Sequence, residues 1–344
     1  MHAILVAAAN ATPALETVPD PEPSTHGAVI EVRATGVCRS DWHAWVGHDP
    51  TVTFPHVPGH EFAGVVREVG RDVRGFTGGE RVTAPFCCGC GVCGECRAGH
   101  QNLCDREYQP GFDGWGSFAH YVHVPWADVN LAVLPETIGF AEAASLGCRF
   151  MTAYAGLAHV ARVRRGEHVV VYGCGGVGLS AVMIAAAMGA RVIAVDVARE
   201  KLDLAMEFGA VASIDARHVD PVEATASHTD GGAHVSVDAL GSATTAGQAI
   251  RSLRRRGRHL QLGLLLGREA TPATPLQDVV RKQLVVHGSH GMQAWRYGEL
   301  FDFIAARRLP LGRMIGARRP LADAGDVLAS MAGFAPLGVT LLEP

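Results

Sequence analysis

The stretch that decides the fold runs from His168 to Asp196 and is centred on Gly173-Cys174-Gly175-Gly176-Val177-Gly178. A β-branched run, Val169-Val170-Val171, precedes the glycines, and a segment rich in Ala, Met and Leu follows them. The first composition suits a buried parallel strand and the second suits a helix. Arg191 to Asp196 then supplies a second strand that ends in an acid. The stretch therefore predicts a strand, a tight turn, a helix and a second strand.

This order of elements is typical of a dinucleotide-binding unit. Glycines at the turn let the backbone approach a pyrophosphate, the helix N-terminus attracts that anion, and Gly178 permits close packing of helix and strand. Asp196 lies about 20 residues further on, where a carboxylate can accept hydrogen bonds from the ribose hydroxyls of NAD. A transmembrane helix is the alternative, because residues 169–190 carry no charge. Four glycines in six residues, and the charges at Lys201 and Asp203, argue against it.

Length and composition limit the class of protein. A chain of 344 residues exceeds the usual size of one hydrophobic core, so we expect two domains. With 48% hydrophobic residues and a net charge of −4, neither nucleic acid nor a membrane is an expected partner. The basic cluster Arg251 to Arg258 is interpreted as the end of a solvated helix before a strand at His259 to Leu262. Residues 1–11 lack the basic start of a secretory signal, which favours the cytoplasm.

The cysteines form the most specific local pattern. The spacing Cys90-x2-Cys93-x2-Cys96-x7-Cys104 places four thiols in a short lobe, enough to close a tetrahedral zinc shell with no position left for water. Such a closed site is structural. Disulfides are the alternative, but nine cysteines are an odd number and suit metal thiolates in a reducing compartment better. Cys87 and Cys88 lie outside the spacing and are assigned no metal.

Two further segments carry a high density of chemical groups. Cys38-Arg39-Ser40-Asp41-Trp42-His43 combines a thiol, a guanidinium, a hydroxyl, a carboxylate and an imidazole, and Pro58-Gly59-His60-Glu61 follows. A thiolate and an imidazole from the two segments can share one zinc, with neighbouring carboxylates orienting or supplementing the ligands. On these residues alone a core or surface position remains the alternative for each.

The remaining chain divides by its pattern of elements. Residues 3–37 read as short strands separated by turns, as in an irregular β domain. After Asp196 helices and strands alternate as far as Leu284 to His287, which predicts a doubly wound parallel sheet and an α/β fold. From Gly288 a helix at Ala294 to Arg307 and a strand at Val339 to Leu342 are expected to rejoin the first domain.

Taken together, these motifs resemble the zinc-dependent alcohol dehydrogenases of the medium-chain dehydrogenase/reductase superfamily over essentially the whole chain. The matching motifs are Cys38-Arg39-Ser40-Asp41-x-His43, Gly59-His60-Glu61-x2-Gly64, the four-cysteine lobe, Cys148 with Thr152, and Gly173 to Gly178 with Asp196. The resemblance implies a GroES-like β-rich catalytic domain at 1–150 and 288–344, with its zinc lobe at about 87–104. It also implies a Rossmann NAD-binding domain at 151–287 and an active site in the cleft.

The resemblance also implies roles for single residues. Cys38, His60 and Cys148 match the catalytic zinc ligands, Glu61 is able to approach that metal, and Asp41 matches the carboxylate that orients His60. Cofactor contacts are implied for Arg39, Thr152, Gly173, Gly175, Gly176, Val177, Gly178, Asp196 and Lys201. Ser40 and His43 match the proton relay. An apolar substrate pocket is expected from Trp45, Phe86, Trp115 and Phe150, each of which also suits an ordinary core position.

Two departures from the family pattern stand out. Arg149 places a charge where relatives usually carry a small residue, and Pro336-Leu337-Gly338-Val339 lacks an arginine that many relatives have there. They put the polarity of the pocket and one phosphate contact in question.

The expected reaction is reversible oxidation of a primary or secondary alcohol to an aldehyde or ketone, with hydride transfer to NAD and two Zn²⁺ per chain, one catalytic and one structural. The alternatives are a polyol or amino-alcohol dehydrogenase, against which Cys148 argues because that class usually carries a glutamate there, and a non-catalytic zinc- and nucleotide-binding protein. A homotetramer is expected from the resemblance, with a dimer as the alternative.

Overall fold

The computed structural model describes residues 1–266, 269–333 and 337–344. The chain separates into two compact units, one formed by Met1–Met151 with Gly291–Pro344 and the other by Thr152–His290. Each unit has one large sheet, and the first unit also contains the two-stranded antiparallel sheet β1-β2, so the two units are described in turn.

The elements follow one another in a fixed order. The strands are β1 His2–Leu5, β2 Ala14–Thr17, β3 Ala28–Val37, β4 Glu61–Val69, β5 Arg81–Thr83, β6 Tyr121–Val124, β7 Ala132–Val133, β8 His168–Tyr172, β9 Arg191–Asp196, β10 Ala210–Asp215, β11 Ala233–Asp238, β12 Leu253–Gln261, β13 Val285–Gly288, β14 Ile315–Pro320 and β15 Val339–Glu343. The α-helices are α1 Arg39–Trp45, α2 Gly94–Arg97, α3 Ala127–Asn130, α4 Phe140–Ser145, α5 Met151–Ala155, α6 Gly176–Ala187, α7 Arg199–Glu207, α8 Pro221–Thr229, α9 Ala243–Arg251, α10 Leu276–Lys282, α11 Tyr297–Arg307 and α12 Ala324–Ser330. Two π-helical turns, Leu146–Phe150 and Gly156–Val160, flank α5.

The unit Thr152–His290 is built on a parallel sheet. Its strand order is β10-β9-β8-β11-β12-β13, and every described pair in it is parallel. The chain therefore starts at the centre, winds out to one edge and then returns to build the other. This is the doubly wound Rossmann arrangement, so the predicted fold class is confirmed. Val169, Val170 and Val171 of β8 have no exposed surface, as expected for a central strand.

The glycine turn joins β8 to α6 at the centre of this sheet. Gly173 has a φ of +85°, a conformation that side chains other than glycine rarely adopt. A Cβ atom at Gly178 would collide with the carbonyl oxygen of Gly173, so the helix can leave the turn this closely only without a side chain there. Helix α6 starts at Gly176, so its free N–H groups lie at the turn.

The first unit has a mixed, mainly antiparallel sheet. Its order is β14-β15-β3-β4-β5-β7, and β6 also pairs with β3. The long strand β3 pairs antiparallel with both β4 and β15, so the C-terminal strand joins a sheet formed by the N-terminal part of the chain. Helix α4 packs on β3 and β4. This β-rich unit is the GroES-like part of the predicted fold class.

The prediction for the basic cluster was wrong. Helix α9 ends at Arg251, and the following residues belong to strand β12. Leu253 is buried and pairs with Ala233 of β11, while Arg254 to Arg256 are exposed. Pairing with a neighbouring strand decided the conformation here, because charge pattern alone does not distinguish a solvated helix end from a solvated strand end.

Among the described helices, none is both long and apolar enough to cross a membrane. The uncharged stretch that allowed this alternative divides into β8, the glycine turn and α6.

Replacing Gly178 with alanine should lower the free energy of unfolding by at least about 2 kcal/mol, because backbone or helix must shift to relieve the collision with Gly173. Gly175→Ala is the matched control from the same turn, since a Cβ atom there meets nothing within 4 Å. It should cost no more than about 1 kcal/mol, the usual effect of losing a helix N-cap glycine. Urea unfolding of both variants without cofactor measures the difference. Equal stabilities would show that α6 does not need the close approach.

Candidate functional site

Three segments of the first unit bring one cluster of metal-binding groups together. Cys38 lies between β3 and α1, His60 immediately precedes β4, and Cys148 lies in the π-helical turn after α4. Each of these three residues offers one ligand atom and Glu61 offers a carboxylate oxygen. These four atoms lie within 4.8 Å of one another. The four residues are those singled out from the sequence as the catalytic metal set.

Asp41 fixes the orientation of this cluster. Its carboxylate is fully buried and accepts hydrogen bonds from the backbone N–H groups of Cys38 at 2.8 Å and Gly59 at 3.1 Å. It lies 2.9 Å from Nδ1 of His60, which places the proton on that nitrogen. Nε2 of His60 is then the nitrogen that faces the thiols. Such a carboxylate–histidine pair is typical of metal sites.

The cluster fits a zinc ion. Nε2 of His60 is buried and has no hydrogen-bond partner among the described residues, which leaves its lone pair for a metal. A hydrogen bond from the Cys148 thiol holds the pKa of Cys38 well below its usual range, which favours the thiolate form that binds metals. Two sulfurs and one imidazole nitrogen are the donor set of a zinc site that keeps a position open.

Glu61 has a partner that the sequence did not reveal. Arg149 donates from Nε to Oε1 at 3.0 Å and from its terminal nitrogen to Oε2, so both carboxylate oxygens are engaged. Glu61 has no exposed surface and Arg149 is 6% exposed. Burial raises the pKa of the Glu61 carboxyl, and the Arg149 charge opposes that shift. The unusual charge at position 149 is therefore paired inside the protein.

The second metal-binding cluster is the four-cysteine lobe. The sulfurs of Cys90, Cys93, Cys96 and Cys104 also lie within 4.8 Å of one another. Backbone N–H groups point at them, from Cys90 and Arg106 to Cys104 at 3.3 Å and from Cys96 to Cys93 at 3.4 Å. All nine cysteines are free thiols, so the structure contains no disulfide to compete with a metal.

Cys87 and Cys88 belong to the core. Both are buried, and burial raises the pKa of Cys87 to about 12 and that of Cys88 well above its usual range. Cys87 contacts the carbonyl oxygen of Met292 at 3.7 Å, and Cys88 packs among the apolar residues of the β3–β4 core. Their raised pKa values keep both thiols neutral.

Ser40 and His43, the two residues expected to form the proton relay, lie on α1. Oγ of Ser40 is 3.8 Å from the sulfur of Cys38, which places the hydroxyl beside the metal cluster. Nδ1 of His43 lies 3.0 Å from Nδ1 of the exposed His48, a contact that the sequence did not predict. Burial, with the charge of Arg39, lowers the pKa of His43 to about 4. His43 is therefore neutral at pH 7 and able to accept a proton.

Of the four residues expected to line the substrate pocket, one lies beside His60 and the other three differ in their burial and packing. Phe86 lies edge-on to the His60 ring with centroids 6.2 Å apart. Trp45 packs in the apolar cluster formed with β1 and α12 and donates from Nε1 to the carbonyl oxygen of Ala11 at 2.7 Å. Phe150 has no exposed surface and packs as a core residue, while Trp115 is 38% exposed.

Phe112 is the aromatic residue that the sequence reasoning missed. Its ring lies 5.3 Å from the ring of His60, closer than that of Phe86. It packs with Ala44 and Val52 in a small apolar cluster. In the sequence, only its position in the glycine- and aromatic-rich segment 111–121 pointed to a role at the site. The residues of a loop do not reveal which of its faces meets the metal cluster.

The dinucleotide turn is organised by Asp196. This carboxylate, at the end of β9, accepts hydrogen bonds from the backbone N–H groups of Cys174 at 2.6 Å, Val197 at 2.7 Å and Ala198 at 2.9 Å. Strand β9 is thereby tied to the glycine turn. In the same unit, Oγ1 of Thr152 is buried and has no hydrogen-bond partner among the described residues. Lys201 is half-buried on α7.

Arg39, expected at the pyrophosphate, makes contacts inside the first unit. Its guanidinium lies 3.8 Å from the centroid of Trp42 and donates to the carbonyl oxygen of Met331.

Pro336, which belongs to the second departure from the family pattern, lies outside the described residues.

Comparisons with known proteins agree with this arrangement. Residues 24–136 match the family described as alcohol dehydrogenase GroES-like domain, and residues 176–306 match the family described as zinc-binding dehydrogenase. An alcohol dehydrogenase of Rhizobium meliloti (strain 1021) is 38% identical over 278 residues, which cover 80% of this chain and 79% of the relative.

Solved structures extend the likeness over the whole chain. The alcohol dehydrogenase TADH from Thermus sp. ATN1 has a TM-score of 0.92 at 30% identity and covers 100% of this chain and 99% of its own. A protein of Sinorhizobium meliloti 1021, assigned as a zinc-binding dehydrogenase and solved bound to NADP, has a TM-score of 0.88 at 30% identity. It covers 100% of this chain and 99% of its own.

Proposed function

Because the chain belongs to the zinc-dependent alcohol dehydrogenases of the medium-chain dehydrogenase/reductase superfamily, we propose that it oxidises small primary or secondary alcohols reversibly with NAD. Its class is that of an oxidoreductase with zinc and a nicotinamide cofactor. The proposal also covers the positions of the metals, the choice of NAD, the proton path and the kind of alcohol.

The observation that carries the proposal is the set formed by Cys38, His60 and Cys148. Nε2 of His60 is buried without a partner among the described residues, and it lies within 4.8 Å of the sulfurs of Cys38 and Cys148. Such an arrangement is costly unless a cation completes it. We assign the catalytic zinc to these three residues. Zinc held there supplies a Lewis acid that makes an alcohol oxygen easier to deprotonate.

The chain's own groups then handle the proton. Ser40 lies beside Cys38 and can accept the proton that leaves the substrate hydroxyl. His43, neutral at pH 7, takes part in the same path, and its contact with the exposed His48 leads toward solvent. The nicotinamide cofactor supplies the hydride acceptor when bound.

The four-cysteine lobe is assigned a second, structural zinc. The four sulfurs lie within 4.8 Å of one another and would complete a tetrahedral shell around zinc, so no position would remain for substrate. We also propose a homotetramer, with a dimer as the alternative, from the resemblance, and a cytoplasmic location from the N-terminal residues and the cysteine pattern. Size-exclusion chromatography with light scattering would test the first, and cell fractionation the second.

The wild-type protein should contain two zinc ions per chain. Cys38→Ser should abolish turnover with little loss of stability, whereas Cys93→Ser should lower the melting temperature or solubility, because a closed site contributes mainly to folding. Metal analysis, activity and thermal unfolding of the three proteins give the comparison. Active wild-type protein with one zinc or none would contradict the two-site assignment.

Apolar alcohols should be the better substrates. Phe86 and Phe112 surround the His60 ring, so a polyol would leave hydroxyls without partners beside them. Medium-length primary or benzylic alcohols should therefore exceed glycerol and sorbitol in kcat/KM, measured by NADH absorbance. A higher value for sorbitol would move the assignment to the polyol dehydrogenases.

His43→Ala should slow alcohol oxidation most near neutral pH. Burial lowers the pKa of the wild-type imidazole to about 4, so it is unprotonated throughout the neutral range and can relay a proton to solvent, whereas the variant depends on hydroxide or buffer. Higher pH or added buffer base should restore part of the rate. If the pH–rate profile is unchanged, His43 has only a structural role.

NAD should be preferred over NADP by roughly a hundredfold or more, because the 2′-phosphate of NADP would bring like charge close to the Asp196 carboxylate. Arg199 is 74% exposed and pairs with Asp203 at 2.9 Å, so its charge is already engaged. Asp196→Ser should narrow the preference, measured as the ratio of kcat/KM for the two cofactors.

The control for this variant is Asp215→Ser, at the end of the neighbouring strand β10. Its carboxylate is paired with Arg217 at 2.7 Å, so its loss should leave the cofactor preference nearly unchanged. Equal use of both cofactors by the wild type would mean that Asp196 does not meet the ribose.

A further inference from the structure

We propose that Arg149 is a positioning residue that holds the Glu61 carboxylate away from the open coordination position of the metal. The inference rests on the proposed catalytic zinc at Cys38, His60 and Cys148. It assigns a function to the charge that distinguishes this chain from the family pattern.

Glu61 is close enough to become a ligand. One of its carboxylate oxygens lies within 4.8 Å of the sulfur of Cys38, the sulfur of Cys148 and a ring nitrogen of His60. A carboxylate is a normal zinc ligand, and three protein ligands leave one position free. A rotation of this side chain would therefore give a closed, four-coordinate metal that no alcohol can reach.

Arg149 engages both oxygens of this carboxylate. Its two hydrogen bonds to Oε1 and Oε2 form the parallel, bidentate pair that only arginine can make. With both oxygens engaged and both side chains buried, the pair fixes the direction of Glu61 as well as its charge.

The backbone around the pair is shaped to admit it. A Cβ atom at Gly36 would lie 2.5 Å from Oε2 of Glu61 and 3.0 Å from a guanidinium nitrogen of Arg149. A Cβ atom at Gly147 would lie 2.6 Å from Cβ of Glu61. Gly147 also departs from helical geometry, with φ −42° and ψ −123°, inside the π-helical turn that carries Cys148 and Arg149. Turns of this kind occur frequently at functional sites.

Charge explains why the pair matters. A buried carboxylate is stable only beside a positive group, and here the choice is between Arg149 and the metal. Arg149 satisfies Glu61 and leaves the metal with two thiolates, one neutral imidazole and an open position. Without Arg149, the metal becomes the partner and the carboxylate competes with substrate.

The test measures access to the open position with imidazole, a neutral zinc ligand, in zinc-loaded full-length protein by titration calorimetry. Arg149→Met keeps an unbranched apolar stem and removes the charge, and should bind imidazole roughly 10–100-fold more weakly than the wild type. The double variant Glu61→Gln/Arg149→Met has no carboxylate to compete and should bind nearly as the wild type does. A crystal structure of Arg149→Met should show a Glu61 oxygen bonded to the metal.

Each result decides between the possibilities. Unchanged imidazole affinity in Arg149→Met overturns the inference, and so does equal weakening in the single and double variants, since a merely structural Arg149 would not depend on Glu61. Wild-type protein whose imidazole binding does not require metal would instead overturn the proposed zinc site, and the inference with it.

A folding control accompanies these variants, because Arg149→Met leaves a buried carboxylate unpaired. If it does not fold, as judged by circular dichroism and thermal unfolding, Arg149→Lys replaces it. Lysine keeps the charge but cannot make the bidentate pair, so an intermediate loss of imidazole affinity, relieved by adding Glu61→Gln, supports the inference. Wild-type affinity in Arg149→Lys alone contradicts it, and so does a loss of affinity that adding Glu61→Gln does not relieve.

Discussion

The buried Asp41 carboxylate is the interaction on which the metal cluster depends. It binds the backbone N–H groups of Cys38 and Gly59 and faces Nδ1 of His60, so it joins the end of β3 to the start of β4. Removing one partner of such a buried network leaves the others without hydrogen bonds, at a cost of about 1–3 kcal/mol each. One carboxylate therefore sets the positions of two of the three candidate ligands, Cys38 and His60, and directs Nε2 of His60 toward the thiols.

The two candidate metal clusters assemble similar chemical groups from different parts of the chain. The sulfurs of 90–104 come from one short lobe, and backbone N–H groups of the same lobe point at them. Cys38, His60 and Cys148 come from three separate segments, held by the β3–β4 pairing and by α4 packed on both strands. A shell completed locally suits a structural role, whereas one assembled across the unit can keep a position open for chemistry.

In both units, glycines decide how closely neighbouring chemical groups can approach one another. Gly178 lets α6 leave the turn beside the carbonyl oxygen of Gly173, where helix N–H groups can meet a phosphate. Gly36 and Gly147 leave the space that the Glu61–Arg149 pair fills. In each case a single methyl group would displace the backbone or a buried charge, so packing limits these positions as strictly as chemistry limits the ligands.

The sequence by itself determined the α/β fold class and the order of strand, glycine turn, helix and acid in the parallel sheet, because these depend on contacts between residues near one another in the chain. It also determined the four-cysteine lobe, whose ligands lie within 15 residues. Only the tertiary structure decided that Arg149 pairs with Glu61 across 88 positions, that Phe112 meets His60, and that the arginines after α9 lie on a strand. Such contacts depend on strand register and on the direction of loops and turns, and neither leaves a periodic signal in the residues.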